Sequence, residues 1–330
     1  ARLAAELKNP SFLALHPTGH YLYAVSEVSD VNGQKTGGIS ALAIDAKTGD
    51  LRLLNQKPSK GGGPCHITID SKGRHVFAAN YGGGSLIAYR VNPSGRLIDE
   101  TAFVQHEGSS VHPRQKAPHA HAVNLDPSEK FLVCCDLGLD KVMIYAFDQR
   151  TGKLSQPEGD AAFGAVPPGS GPRHFAYRPD GKFGYVINEL TCTVTAFKHD
   201  DKTGALSPIQ TISTLPEGES VQRGYSTAEI FAHPSGKFLY GSNRGHDTIV
   251  VYSIDESTGK LTLVSHHSTQ GKTPRNFNLD PTGRFLLAAN QGSGTVAVYR
   301  IDQSTGKLEP TGQVLPVPKP VCVVFLPMGK

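Results

Sequence analysis

One pattern recurs six times along this chain and fixes most of what the chain can become. A short strand leads into a turn resembling Pro-x-Gly-Lys/Arg, and an aromatic or aliphatic strand follows and ends on a polar residue. The copies are HPTGHYLYAVSE, DSKGRHVFAANY, DPSEKFLVCCDL, RPDGKFGYVINE, HPSGKFLYGSNR and DPTGRFLLAANQ. Their turn positions are Pro17, Ser71, Pro127, Pro179, Pro234 and Pro281, separated by 54, 56, 52, 55 and 47 residues. A third strand follows each pair: GGISALAID, GSLIAYRVN, DKVMIYAFD, CTVTAFKHD, DTIVVYSID and GTVAVYRID. Next comes a tight turn with Thr-Gly or Ser-Gly, at Gly49, Gly95, Gly152, Gly204, Gly259 and Gly306. Glycine there supplies a positive φ at no steric cost. A leucine soon after each turn marks a fourth, outer strand. A period of about fifty residues with four strands per unit is the signature of a β-propeller.

The innermost strands give the blade count. They are NPSFLALHP, GPCHITIDS, PHAHAVNLDP, GPRHFAYRPD, STAEIFAHPS, TPRNFNLDPT and KPVCVVFLP, which makes seven. The expected fold is all-β: a seven-bladed β-propeller of four-stranded antiparallel blades, forming a single domain over residues 1–330. The seventh blade, Pro320 to Pro327, lacks its outer strands and is expected to be incomplete. RLAAEL at the N-terminus could supply its outermost strand and so cover an open edge. The two missing strands are then expected upstream of Ala1. Two inserts, Glu107 to Ala117 and Leu215 to Ser226, lengthen the approaches to the third and fifth inner strands. Both are expected on one face, at the rim of the central channel.

Composition narrows the partners. A net charge of +4, with Lys and Arg scattered, lacks the clustered stripe of a nucleic-acid footprint. No apolar run approaches the ~20 residues of a membrane span. The five cysteines are odd in number and contain no C-x-x-C, so neither a disulfide framework nor a zinc site is expected. Buried thiols in a reducing, cytoplasmic setting fit them better. ARLAAELKNP does not read as a signal peptide.

The start of each first strand and the end of each second strand should ring the same mouth of the channel. Six residues before the turn the column reads Ser11, Cys65, His121, Arg173, Ala228, Arg275 and Val321. Five before it stand Phe12, His66, Ala122, His174, Glu229, Asn276 and Cys322. Ten after it stand Glu27, Tyr81, Leu137, Glu189, Arg244 and Gln291. Neighbouring residues on a strand point to opposite faces, so only part of these columns is expected to face the channel. Even so, His66, His121, Arg173, His174, Glu189, Glu229, Arg244 and Arg275 form one ring of ionisable groups. Unpaired buried charge is costly, and a purely structural scaffold has little reason to collect it. His16 and His233 sit in turns and are expected at the surface. His266 and His267 lie on an outer strand, and Glu107, His112 and His119 in a rim loop.

Three arginines around one pocket imply an anionic ligand, because a guanidinium stays charged and binds carboxylate or phosphate through a planar fork. A carboxylate near a histidine supplies an acid/base pair. No Gly-rich phosphate loop, nucleophile elbow or HExxH string is present. Hydrolysis or proton transfer on a small anion, without metal or other cofactor, fits best. Three of the ring residues could alternatively hold a metal.

GPRHFAYRPDGKFGYVINEL, TAEIFAHPSGKFLYGSNRGHDTI and TPRNFNLDPTGRFLLAANQGSGTVAVY resemble the lactonase family of seven-bladed propellers. That family includes the propeller-type 6-phosphogluconolactonases and the carboxy-cis,cis-muconate cyclases. The resemblance implies a metal-free active site in the channel mouth. By motif, the histidine, two arginines and glutamate proposed for the cyclase branch fall on His121, Arg173, Arg244 and Glu189. The columns add His66, His174, Glu229, Arg275 and Gln291 as substrate-binding candidates. The expected activity is hydrolysis of a sugar lactone, 6-phosphogluconolactone to 6-phosphogluconate. The alternatives are a carboxy-muconate cyclase and a non-enzymatic interaction scaffold. The expected partner is a small anionic substrate, with no nucleic acid and no membrane.

Overall fold

A computed structural model describes residues 2–31 and 33–326. The chain divides into two compact units. Apart from the chain ends, one comprises Arg2–Leu139 and Met143–Pro157, the other Asp140–Val142 and Glu158–Phe325. Among the described residues the secondary structure is all-β but for one 3-10 turn at Gly159–Ala161.

In the first unit, blade one is built from Pro10–Leu15, Tyr21–Ser26, Gly38–Ile44 and Leu51–Pro58. Blade two follows with Pro64–Ile69, His75–Asn80, Ser85–Val91 and Leu97–Gln105. Blade three holds Ala120–Leu125 and Phe131–Asp136, then Lys141–Phe147, with a short outer strand at Leu154–Ser155. In the second unit, blade four is Pro172–Tyr177, Phe183–Asn188, Thr193–His199 and Leu206–Ser213. Blade five is Ser226–Ala232, Phe238–Arg244, Thr248–Ile254 and Leu261–Ser268. Blade six is Pro274–Leu279, Phe285–Asn290, Thr295–Ile301 and Leu308–Pro316. The strands named are ordered in each sheet as in the sequence, joined by hairpins, and a further strand, Phe163–Ala165, pairs with Lys141–Phe147 off that path.

The expected seventh blade is not formed among the described residues. Residues 317–326 carry no strand. A strand needs a neighbour for its backbone groups, and this segment finds side chains instead: Asn278 Nδ2 donates to the Val323 carbonyl at 2.8 Å. The final Pro327 lies outside the described residues. RLAAEL is no outermost strand either. Residues 2–9 carry no strand, and Arg2 Nη1 pairs with Asp50 at 2.5 Å on the outer turn of blade one.

Side chains close the gaps between neighbouring sheets in two directions. Second-strand tyrosines reach forward to the Thr/Ser-Gly turn of the next blade. Tyr23 donates to the Gly95 carbonyl at 3.1 Å, Tyr185 to Gly259 at 3.1 Å and Tyr240 to Gly306 at 2.9 Å. Third-strand tyrosines reach back to the end of the previous outer strand. Tyr89 donates to Pro58, Tyr252 to Ser213 and Tyr299 to Ser268. Both sets bury a large ring and satisfy its hydroxyl. Between blades four and five, Tyr185, Ile187, Leu239, Val250 and Tyr252 belong to one core cluster with Phe183 and Ile230.

His16 and His233 are not surface residues. His16 is 9% exposed and His233 3%. At three of the turns the residue before the Pro reaches the next turn. His16 Nε2 lies 3.2 Å from the Gly73 carbonyl and His233 Nε2 2.8 Å from that of Gly283. Arg178 Nε does the same to Gly236 at 2.9 Å.

Tyr240→Phe keeps the ring but strands the buried Gly306 carbonyl. A loss of about 1–3 kcal/mol is expected in urea unfolding. Gly259→Ala should cost more, because φ there is +71° and a Cβ would lie 2.2 Å from the Phe183 ring.

Candidate active site

Each first strand carries a β-bulge at the position six residues before its turn. In blade four Pro172 pairs with Asn188 and His174 with Ile187, leaving Arg173 as the extra residue. Arg275 in blade six, Cys65 in blade two and His121 in blade three are extra in the same way. A bulge breaks the strict alternation of the strand and re-aims a side chain. Consecutive residues can then serve one cluster, and Arg173 and His174 do. The alternation argument alone had divided them.

In the second unit Glu189 anchors two guanidiniums on one oxygen. Arg173 Nε donates to Glu189 Oε2 at 3.0 Å, and Arg244 Nη2 lies 3.0 Å from the same atom. Arg173 Nη1 donates to the Ala228 carbonyl at 2.7 Å, and Arg244 Nη2 to that of Thr227 at 2.7 Å. Thr227 is itself hooked back to blade four, its hydroxyl donating to the Asn188 carbonyl at 2.9 Å. Arg173 and Glu189 are buried, whereas the Arg244 side chain is 14% exposed. Burial, then the guanidiniums of Arg244 and Arg275, push Arg173 down to about 9. It therefore stays protonated at neutral pH, and Glu189 supplies the opposing charge a buried cation requires.

A second carboxylate holds the histidine. His174 Nδ1 lies 2.7 Å from Glu229 Oε1, and the Ile230 N–H donates to the same oxygen at 3.0 Å. Asn276 Nδ2 donates to Glu229 Oε2 at 2.6 Å. Burial first, and then Arg173 and Arg275, hold His174 well below its ordinary value. The imidazole is neutral at physiological pH. Three guanidiniums face two carboxylates, leaving one positive charge in excess.

That excess resides at Arg275. Its guanidinium makes no hydrogen bond or ion pair with another described residue, and it is partly exposed. The side-chain amide of Gln291, ten residues after the same turn, likewise has no partner among the described residues. The second unit thus brings together Arg173, His174, Glu189, Glu229, Arg244 and Arg275.

His66 and His121 belong to the first unit. His121 is buried, its Nδ1 3.7 Å from Cys65 Sγ, with its ring edge-on to Tyr81. His66 packs tilted against the Phe12 ring at 4.2 Å, and its Nδ1 accepts from the Val123 N–H. Two groups escaped selection from the sequence. Asn276 stood in the right column, but its amide drew no notice beside charged neighbours. Tyr81 also stood in a column. It stacks on His119 at 4.5 Å, and its hydroxyl accepts from Arg114 of the Glu107 to Ala117 insert at 3.0 Å.

The family described as "Lactonase, 7-bladed beta-propeller" matches residues 1–325. A 6-phosphogluconolactonase of Bacillus subtilis is 35% identical over 325 residues, covering 98% of this chain and 89% of that protein. A 6-phosphogluconolactonase of Formosa agariphila is 39% identical over 276 residues, covering 82% of this chain and 75% of that protein. Among solved structures, a periplasmic gluconolactonase of Pseudomonas aeruginosa superposes with a TM-score of 0.90 at 32% identity. That match covers 98% of this chain and 90% of the other. A putative 6-phosphogluconolactonase of Bacteroides fragilis gives 0.86 at 34% identity, covering 96% and 87%.

The depressed His174 has a measurable consequence. Unfolding lets this histidine take up a proton below its ordinary value near 6.5, whereas the folded protein refuses it. Its contribution to stability is full above pH 6.5 and lost as pH falls below that value. Each such group contributes about 1.4 kcal/mol per pH unit. Urea unfolding between pH 7 and pH 5 should therefore show a shallower pH dependence in His174→Gln than in wild type, by about that slope.

Proposed function

This chain belongs to the lactonase family of seven-bladed β-propellers, and from that premise we propose that it hydrolyses a sugar lactone, 6-phosphogluconolactone to 6-phosphogluconate. Family membership also supports reading residues 1–330 as one propeller domain with its site at the mouth of the central channel. The observation that carries the reading is the charged cluster around Glu189, with its one excess positive charge at Arg275. A phosphorylated substrate and five free thiols support action in the cytoplasm.

Water attacks the lactone carbonyl carbon and passes a proton to Glu189. Arg244, the more exposed guanidinium on Glu189, stabilises the oxyanion that develops on the carbonyl oxygen. The ring C–O bond then breaks, the ring oxygen takes up a proton, and the open-chain acid leaves. Arg173 is too deeply engaged to meet the substrate directly and holds Glu189 in place. Arg275 takes the phosphate, with Gln291 beside it on the same blade. Carboxy-muconate cyclisation is less well supported. Its substrate carries several carboxylates, whereas Arg173 and Arg244 are committed to Glu189 and to backbone carbonyls.

Disappearance of lactone above its spontaneous hydrolysis tests the reading. Wild type should accelerate it, and Glu189→Gln should lower kcat by about 10²-fold. Arg275→Gln should raise KM for the phosphorylated lactone by about 10- to 100-fold, the worth of a charge-assisted contact. The same variant should leave KM for unphosphorylated gluconolactone near wild type. A wild-type rate equal to that of buffer would refute lactone hydrolysis.

A further inference from the structure

Polar contacts run in one line across the inner strands of the second unit. His174 Nδ1 meets Glu229 Oε1, and Glu229 Oε2 accepts from Asn276 Nδ2. Asn276 Oδ1 in turn accepts from the Val323 N–H at 2.9 Å. The Val323 carbonyl is held by Asn278, so both backbone groups of that residue are fixed. His174, Glu229 and Asn276 each stand five residues before their turns, in blades four, five and six. Val323 takes the next place in the row.

The chemistry of the groups sets the direction of this line. A backbone N–H only donates, so it must face the oxygen of the Asn276 amide. The amide nitrogen then faces Glu229, which as a carboxylate only accepts. The remaining oxygen of Glu229 can accept only if the imidazole carries its proton on Nδ1, which leaves the lone pair on Nε2. Without Val323 the amide could rotate and set Oδ1 against Glu229. Asn276, Glu229 and His174 are 3%, 6% and 3% exposed, so bulk water is poorly placed to make up for a lost partner.

We infer that the Val323 backbone amide, acting through Asn276 and Glu229, fixes His174 as the Nδ1–H tautomer. Residues 320–325 are then a positioning element of the site, and Asn276 is a positioning residue. Arg173, Arg275, Glu189 and Arg244 supply the field around this imidazole. The kinetic consequence rests on the lactone-hydrolysis reading; the tautomer does not.

Two-bond ¹H–¹⁵N correlation spectra of imidazole-labelled protein read the tautomer of His174 without substrate. Wild type and Val323→Ala, which keeps the N–H, should both show protonated Nδ1 and unprotonated Nε2. Asn276→Asp is isosteric but sets a second carboxylate 2.6 Å from Glu229 Oε2. The pair should take up a proton, and the His174 signals should move to a mixed tautomer or an imidazolium. Val323→Pro, which removes the donor, should move them in the same sense. In lactone hydrolysis Asn276→Asp should raise KM at least ~10-fold, since His174 stands beside Arg275 as a substrate-binding group. Wild-type His174 signals in folded Asn276→Asp would overturn the inference, even if Val323→Pro fails to fold. Shifted signals in a protein whose wild type hydrolyses no lactone would sustain the positioning role and remove the functional reading.

Discussion

A four-stranded sheet covered by a neighbour has no water to fall back on over that face, and this constraint shapes the blade junctions within each unit. A polar atom on a covered face is satisfied by a partner on its own sheet or the adjacent one. The tyrosines meet the requirement in both directions, Tyr240 forward to Gly306 and Tyr252 back to Ser213. The turn residues meet it as well, His233 reaching Gly283 and Arg178 reaching Gly236. Large rings supply the buried apolar area, and their polar ends fix the register between sheets. An inward-facing polar residue in such a scaffold meets its counterpart one blade on, at the same height.

The charged cluster is the same rule applied to ionisable groups. Arg173 could not be buried alone, since an uncompensated charge in that position costs several kcal/mol. Glu189 at the end of the neighbouring strand compensates it, and Arg244 shares the oxygen from blade five. The backbone bulge makes this possible by letting adjacent residues in one strand take separate tasks. Arg173 pairs with Glu189 while His174 pairs with Glu229. What is left over is one guanidinium, Arg275, and a neutral imidazole beside it.

Much of this was legible in the sequence. The repeat set the strand order of six blades, and the seventh inner strand counted with them forms no blade among the described residues. The columns picked out Arg173, Glu189, Arg244, His174 and Glu229, five groups that pair with one another in the second unit. Asn276 stood in its column but was passed over, because an amide draws no attention until its two ends have partners. His16 and His233 read as surface residues because a turn in isolation is exposed, and only packing against the next turn buries it.

The chain by itself determined the period, the hairpins and the height of each side chain above its turn, because these follow from local backbone geometry and the placement of Gly, Pro and aromatic residues. Only the tertiary structure decided which members of a column touch. The bulge that adds Arg173 beside His174 is invisible in a pattern of alternation. The choice of Glu189 over Glu229 as the partner of Arg173 depends on distances between residues on different strands. The fate of KPVCVVFLP also lay outside the local pattern. It reads as a strand, but a strand needs a ladder, and here asparagine side chains hold it instead.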